Sequence, residues 1–182
     1  MHQQENTPDL PPTAMSEMET LSLERCARDK VVLELGAEYG YSTIIMGRVA
    51  KQVVSVDWHR GYPNCSAGPK NNDTLMQYMY NIKPVRENVI SVVGRFEEVL
   101  PLLGDASFDF IFLDGGHDWE QTYFCFLQAR RLLTPEGVLA CHDYGHPLCP
   151  ERAIAESLGV RPRSPVVGTL AIFDGYADRV TA

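Results

Sequence analysis

Short apolar runs rich in β-branched residues alternate along the chain with longer segments whose apolar residues recur every three or four positions. Runs of the first kind predict buried strands, and segments of the second kind predict helices. The predicted strands are KVVLELG (30–36), QVVSVD (52–57), NVISVVG (88–94), FDFIFLD (108–114) and GVLACHD (137–143). A further segment, VVGTLAIFD (166–174), predicts one or two closing strands.

Helices are predicted between these strands. In the first helix, the apolar residues Met15, Met18 and Leu21 recur at helical spacing. The predicted helices are MSEMETLSLERCAR (15–28), YSTIIMGRVA (41–50), TLMQYMYNI (74–82), FEEVLPLL (96–103), WEQTYFCFLQARRLL (119–133) and PERAIAESLG (150–159).

This alternation predicts a doubly wound α/β fold, in which a mostly parallel sheet carries helices on both faces. A single domain is predicted over residues 13–182, after a flexible, polar and proline-rich arm over residues 1–12. The loop 61–73 is rich in Gly, Pro and Asn and is the predicted lid of a binding site. Ligands of such folds bind outside the carboxyl ends of the strands, so the candidate chemistry is sought there.

Composition narrows the classes of function. The net charge of −8 and the pI near 5.1 argue against a nucleic-acid surface, which is usually basic. No apolar run approaches the roughly 20 residues that span a bilayer, and the N-terminus lacks the pattern of a secretory signal. Five cysteines without a CxxC pair fit a reducing compartment, which predicts a cytoplasmic location without membrane attachment.

The stretch ELGAEYGYS (34–42) follows the first predicted strand. Gly36 and Gly40 bracket a strand-to-helix turn, where glycine lets a ligand approach the backbone closely. Glu34 would repel a phosphate but stabilise a positively charged ligand. The alternative is an ordinary tight turn with an acid nearby.

Asp57 ends the second predicted strand, 21 positions after Gly36. An acid at this point binds ribose hydroxyls in nucleotide-binding folds, although it could also cap a helix or face solvent. Trp58 fits either a nucleoside contact or the core. An adenosyl ligand with a positive charge and no phosphate satisfies both Glu34 and Asp57, and S-adenosylmethionine is such a ligand.

The segment VLELGAEYGYS resembles the first motif of class I S-adenosylmethionine-dependent methyltransferases, in particular the small-molecule O-methyltransferases of the catechol O-methyltransferase kind. The resemblance extends from Lys30 to Asp143. It implies a Rossmann-like sheet of order 3-2-1-4-5 with a closing antiparallel strand. The cofactor-binding residues that it implies are Glu34, Gly36, Gly40, Ser42, Asp57, Trp58, Gly94, Arg95, Phe96 and Asp114.

The implied strand order brings Asp114, after strand four, beside Asp143, after strand five. Two such carboxylates repel each other unless a cation or a proton lies between them. In the metal-dependent members of the resembling family a divalent ion is held at these positions, which implies Asp114, His142 and Asp143 as ligands of Mg²⁺. The histidine would also admit Mn²⁺, Fe²⁺ or Zn²⁺. Alternatively, the two acids bind substrate or water without a metal.

His117 lies three residues after Asp114, in the sequence FLDGGHDWE (112–120). The bacterial sugar O-methyltransferases that read Asp-Gly-x-His are similar here, and the resemblance implies His117 as the catalytic base beside Asp114. An ordinary hydrogen-bonded surface histidine is the alternative. Asp118, with Gln121 three residues later, predicts a capping box for the next helix.

The function that these residues predict is methylation of a hydroxyl group on a small molecule or a sugar, and a second copy of the chain could complete the pocket. Two other classes stay open: a nicotinamide-dependent oxidoreductase and a non-catalytic binding protein on the same fold. A zinc site is a further alternative in CHDYGHPLC, formed by Cys141, His142, His146 and Cys149.

Overall fold

Six strands and seven helices form the part of the chain that the computed structural model describes, residues 10–61 and 73–179. The strands are β1 (Val31–Leu35), β2 (Gln52–Asp57), β3 (Val89–Val93), β4 (Phe108–Leu113), β5 (Leu133–Cys141) and β6 (Ala171–Asp174). The helices are α1 (Glu17–Ala27), α2 (Tyr41–Gly47), α3 (Leu75–Asn81), α4 (Phe96–Val99), α5 (Trp119–Leu132), α6 (Glu151–Ser157) and α7 (Tyr176–Arg179). Short 3₁₀ segments occupy Lys83–Asn88 and Leu100–Leu102.

The strands form one sheet of order β3-β2-β1-β4-β5-β6, in which only β6 runs antiparallel, against β5. The predicted doubly wound fold and the strand order implied by the resemblance are therefore confirmed. In this order β1 pairs with β2 on one side and with β4 on the other, so the carboxyl ends of β1, β2 and β4 lie together. The sequence order reverses between β1 and β4, and ligands bind at such a switch point.

Successive residues of the central strands face opposite sides of the sheet, and each side has its own core. Leu33 and Ile111 belong to the core beneath α5, whereas Val32 and Phe110 pack on the side of α1 and α2. Because the central strands are buried on both faces, their sequences are continuously apolar rather than alternating. Two acids interrupt the apolar pattern of β1 and β4: Asp109, which is half-buried, and Glu34, which is fully buried.

The predicted first helix is present, but its buried face does not contain Met18 or Leu21, whose spacing predicted it. Met18 and Leu21 are 62% and 47% exposed, whereas Glu19, Leu23 and Ala27 are buried. These three residues repeat every four positions, and Glu19 is compatible with burial only because it finds hydrogen-bond partners there.

The closing segment agrees with the prediction of one or two strands, whereas the start of β5 differs from its prediction. The closing segment forms a single strand, β6, preceded by an isolated bridge between Val167 and Leu170. Strand β5 begins at Leu133, before the predicted start at 137, because Leu133 pairs with Phe108 of β4 ahead of a register shift between Phe108 and Phe110. Most of the predicted lid, 61–73, and of the predicted arm, 1–12, lies outside the described residues. In the described part of the chain, no helix has both the length and the apolar character that crossing a membrane requires.

Candidate active site

The glycine turn after β1 is packed directly against the end of β4. Gly36 has a φ of 95°, and a Cβ built on it would lie 2.2 Å from the carbonyl oxygen of Asp114. The Asp114 backbone N–H donates to the Leu35 carbonyl at 2.9 Å, and the Gly36 N–H donates to the Val56 carbonyl at 3.0 Å. Glycine is therefore required at position 36 by both conformation and space. Gly40, with a φ of 88°, begins α2, whose residue Ser42 lines the adjoining cleft.

Glu34 lies beneath this turn and not in the cleft. Its carboxylate accepts hydrogen bonds from the hydroxyls of Ser42, Thr43 and Ser55 at 2.5, 2.6 and 2.6 Å. Burial raises the pKa of Glu34 to about 7, although these hydroxyls act in the opposite direction. The predicted contact with a cationic ligand is thus replaced, in the described structure, by a network that joins β1, α2 and β2.

Glu34→Gln is expected to flatten the pH dependence of stability. In the wild type, the folded protein holds a proton that the unfolded chain releases above pH 4.5, so the free energy of unfolding falls as the pH rises towards 7. A pKa rise from 4.5 to about 7 corresponds to on the order of 3 kcal/mol. Urea unfolding at about pH 4.5 and about pH 8 measures the effect, with the exposed Glu136→Gln as control. A Glu34→Gln protein whose free energy of unfolding depends on pH as in the wild type would contradict this prediction.

Asp57 braces the glycine turn from β2. Its Oδ2 accepts the backbone N–H groups of Ala37 and Glu38 at 2.7 and 2.8 Å, and its Oδ1 accepts that of His59 at 2.6 Å. The side chain is buried, and these three bonds use most of its acceptor capacity. The structure therefore gives Asp57 a structural role, and its contact with a ribose stays a prediction.

The predicted cofactor-binding residues that follow β2 and β3 lie partly at the surface and partly in the core. Trp58 is half-buried, and the guanidinium carbon of Arg95 lies 4.0 Å from its ring centroid. The Gly94 N–H donates to the Asp57 carbonyl at 3.1 Å, which holds this turn next to β2. Phe96 is only 5% exposed and packs into the core beneath Gly115, so its side chain is not free to line a pocket.

Asp114, His117 and Asp143 converge where β4 and β5 end. One donor atom from each lies within 4.8 Å of the other two, and His117 Nε2 is 3.4 Å from Asp143 Oδ2. The convergence of the two acids, predicted across 28 intervening residues, is present. His117 takes part in this cluster, whereas the predicted third ligand, His142, does not.

His142 instead lies behind the two acids. Its Nδ1 is 3.5 Å from a carboxylate oxygen of Asp114 and 3.5 Å from one of Asp143. Burial opposes its charge, but the two carboxylates outweigh this effect and raise the pKa of His142 to about 10. An imidazolium therefore supplies the positive charge that a pair of adjacent carboxylates requires.

His117 is held from both ring nitrogens. Its Nδ1 is 2.9 Å from Glu151 Oε1, on the side opposite Asp143. Burial lowers the pKa of His117, but the hydrogen bond to Glu151 and the nearby acids outweigh it and raise the pKa above 6.5. His117 and Asp143 both have positive φ, 52° and 57°. Strained backbone of this kind tends to occur at functional sites.

Two buried acids at the site were missed in the sequence. Glu19 accepts the Thr169 N–H at 2.7 Å and lies 3.7 Å from His142 Nε2. Its signal was the capping box that it forms with Ser16 at the start of α1. Glu151, the first residue of α6, resembles an ordinary acid of a first helical turn and gave no signal. The predicted cap of α5 is present in part: Asp118 accepts the Gln121 N–H, but the Gln121 side chain donates to Glu97.

The cleft beside the cluster lies between the glycine turn and the segment before α1. It is lined by Pro12, Thr13, Ala14, Met15, Gly36, Ala37, Glu38, Tyr39, Tyr41, Ser42, Asp114, His117, His142 and Asp143. Pro12, from the end of the predicted arm, thus contributes to the cleft. The zinc alternative is not supported, because Cys141 is buried in β5 and, among the described residues, His142 and His146 join no group of converging donors.

Comparison with known proteins agrees with this geometry. Residues 33–144, more than half of the chain, match a family described as a methyltransferase domain. The fold is similar to that of the cofactor-bound protein Rv0187 from MTB, with 24% identity and a TM-score of 0.65 over 85% of this chain and 73% of that one.

Two further solved structures share the fold. The O-methyltransferase TomG from Streptomyces achromogenes, in complex with SAM, is 23% identical, with a TM-score of 0.65 over 92% of this chain and 81% of that one. An O-methyltransferase from Bacillus cereus, in complex with SAH, is 18% identical, with a TM-score of 0.63 over 91% of this chain and 82% of that one. With the family match, the sheet order and the glycine turn after β1, the chain belongs to the class I S-adenosylmethionine-dependent methyltransferases.

Proposed function

We propose that this methyltransferase acts on a hydroxyl group of a small molecule or a sugar. The observation that carries the proposal is the position of His117, whose imidazole lies beside Asp114 and Asp143 in the cleft that begins at Gly36. An imidazole can accept a hydroxyl proton near neutral pH. TomG and the Bacillus cereus protein, which share the fold, are O-methyltransferases and support the same choice.

The residues present fit an S-adenosylmethionine molecule. Gly36 lines the cleft without a side chain, which leaves its backbone open to a closely approaching ligand, and Ser42 lines the same cleft. Gly36, Ser42 and Asp57 would hold the cofactor, with Trp58 and Arg95 at its nucleoside end. When bound, the cofactor supplies a methyl group activated by a positively charged sulfur.

A divalent ion also fits, in a form that differs from the predicted one. The converging donors are Asp114, His117 and Asp143, a mixed oxygen and nitrogen set that suits Mn²⁺, Fe²⁺ or Zn²⁺ as well as Mg²⁺. A bound ion would lower the pKa of an acceptor hydroxyl. Against a required ion stands His142, because its imidazolium already balances the two acids. His117 cannot bind an ion through Nε2 and also accept a proton there, so the two roles exclude each other at this nitrogen.

The proposed catalytic work of the chain itself is positioning and proton transfer. His117 Nε2 accepts the hydroxyl proton, and Asp143 lies on the same side of the ring to stabilise the imidazolium that results. Asp114, at the end of β4, orients the acceptor. Holding the reacting groups in line supplies much of the rate enhancement of such a displacement, up to roughly 7–11 kcal/mol.

The test combines binding with turnover. S-adenosylmethionine, and not NAD, is expected to raise the melting temperature, because anything that binds only the folded state stabilises it. Radiolabelled methyl transfer to a panel of hydroxyl acceptors is expected to favour sugars or small phenols over amines and thiols. Parallel reactions with EDTA, and with EDTA followed by excess Mg²⁺ or Mn²⁺, separate the metal-assisted form from the metal-free form.

Each arm of this test has a defined failure. Transfer to amine acceptors alone would overturn the proposed O-methylation. Binding of the cofactor without transfer to any acceptor would favour the non-catalytic alternative. Full activity in EDTA would show that the reaction requires no metal, and His117 would remain the proposed base.

A further inference from the structure

The side-chain carboxylate of Glu151 is buried. Among the described residues, the only hydrogen bond that it accepts comes from the imidazole of His117. Glu151 begins α6, and its side chain is 2% exposed. Its Oε1 is 2.9 Å from His117 Nδ1, whereas its Oε2 has no hydrogen-bond partner among the described residues. The two residues are 34 positions apart, so the contact is a product of the tertiary fold.

This burial is unfavourable unless the charge is compensated. Removing a carboxylate from water costs several kcal/mol, which must be offset by a partner. Glu156, on the same helix, shows the ordinary arrangement: its side chain is 61% exposed and pairs with Arg152 on the surface. Glu151 has no arginine or lysine partner among the described residues, and its compensation comes from His117 and the first turn of α6.

The contact determines which nitrogen of His117 carries hydrogen. A carboxylate only accepts hydrogen bonds, so Nδ1 must be the protonated nitrogen when it contacts Glu151. Nε2, on the other side of the ring, is 3.4 Å from Asp143 Oδ2, longer than the about 2.7–3.2 Å of an N–H···O hydrogen bond, so the single proton of the neutral ring is better placed on Nδ1. An orienting group behind the base is a recurring feature of sites where a histidine removes a proton.

The two acids that contact the His117 ring lie at the two ends of the connection between β5 and α6. Asp143 follows β5 and faces Nε2, and Glu151 begins α6 and faces Nδ1. His117 stands between them with a left-handed backbone, which turns its side chain towards this connection. A ring clamped on both edges loses little freedom when the acceptor binds.

We propose that Glu151 is the positioning residue of the active site, holding His117 in the tautomer whose Nε2 accepts the substrate proton. The inference rests on the proposed function in taking His117 as the base. It adds a second carboxylate with a separate role, because Asp143 acts on the reacting nitrogen and Glu151 acts on the opposite one.

Glu151→Gln tests this assignment with little change of shape. The amide can turn its NH₂ group towards Nδ1 and thereby favour the wrong tautomer. We expect kcat to fall about 10²–10⁴-fold, the range for loss of a correctly poised base, with KM and cofactor affinity changed less than about threefold. Glu156→Gln, on the same helix, is the matched control and is expected to keep wild-type kcat. Glu151→Asp, which keeps the carboxylate, is expected to recover part of the loss.

A second measurement needs neither turnover nor a stable variant. In wild-type protein labelled with ¹⁵N-histidine and kept in EDTA, the two ring nitrogens of His117 are expected to show a protonated Nδ1 and an unprotonated Nε2 above the pKa of the ring. EDTA is needed because Cys149 also lies within 4.8 Å of this pair and could join it in binding an ion. If no acceptor is ever methylated, the proposed function fails, but these ¹⁵N shifts still test the Glu151 contact.

The proposal is overturned by either of two results. One is a wild-type His117 whose neutral ring, above its pKa, carries the proton on Nε2. The other is a folded Glu151→Gln protein whose kcat matches that of Glu156→Gln.

Discussion

His117→Ala is expected to lower kcat about 10²–10⁴-fold while the affinity for S-adenosylmethionine stays within about threefold of the wild type. The reason is that His117 lies next to Asp114 and Asp143, where we propose that the acceptor binds, whereas most of the predicted cofactor contacts lie at the glycine turn and after β2 and β3. Initial-rate assays with saturating cofactor and acceptor give kcat, and isothermal titration calorimetry gives the affinity for S-adenosylmethionine.

The pH dependence gives a second readout of the same variant. The base must be unprotonated. Burial lowers the pKa of His117, but the hydrogen bond to Glu151 and the neighbouring acids outweigh burial and raise the pKa above 6.5. The wild-type kcat is therefore expected to rise with pH through a point above 6.5 and then level off. The variant should lose this inflection and continue to rise as the acceptor hydroxyl ionises unaided.

His146→Ala is the matched control, because His146 is an exposed histidine in the connection that follows Asp143. It is expected to keep the wild-type kcat and pH profile. A His117→Ala protein with full activity would show that another group removes the proton, and FLDGGHDWE would then be only a turn that begins α5.

Gly36→Ala is expected to lower the free energy of unfolding by on the order of 2–5 kcal/mol and to weaken S-adenosylmethionine binding more than about 100-fold. A Cβ at this position would lie 2.2 Å from the Asp114 carbonyl oxygen and 3.0 Å from Gly115 Cα. Both are backbone atoms, so no side-chain rotation relieves the clash. The φ of 95° adds the strain of a conformation that L-residues avoid.

The expected structural response is separation of β1 from β4. The hydrogen bond from the Asp114 N–H to the Leu35 carbonyl, 2.9 Å long, joins the two strand ends and would be the first to break. Since Asp114 converges with His117 and Asp143, the residues proposed to act in catalysis, turnover should fall together with cofactor binding. Urea unfolding and isothermal titration measure the two effects.

Gly159→Ala separates backbone strain from the clash. Gly159 has a φ of 69°, but a Cβ there would have no atom within 4 Å. Its substitution is expected to cost about 1–2 kcal/mol, from conformation alone, and to leave cofactor binding unchanged. Equal destabilisation by the two variants would show that the close packing at Gly36 has little energetic weight.

The strands were predictable because the information for them is local. Continuous apolar runs such as the one ending at Leu113 identify strands buried on both faces, and Asp114 marks where β4 ends. The glycine turn and the Asp118 cap were predictable for the same reason, because each depends on backbone geometry within a few residues. The sheet order required the resemblance, since alternation alone does not say which strands are neighbours.

Charged side chains were predicted less well, because the burial of a charge depends on partners that are distant in sequence. Glu34 was expected to face the ligand, but Ser55, 21 positions away, and two hydroxyls of α2 hold it in the core. His142 was expected to bind a metal, yet its ring lies behind Asp114 and Asp143 as a counter-charge.

The sequence by itself determined the strands, their polar ends and the glycine turn, because the steric preferences of the backbone and the hydrophobic pattern act over short distances. The tertiary structure alone decided which acid faces which nitrogen of His117. That choice depends on how the connection from β5 to α6 folds over the end of β4, which brings Glu151 within 2.9 Å of a residue 34 positions earlier. A buried carboxylate needs a partner to offset its desolvation, and no local pattern encodes which partner it meets.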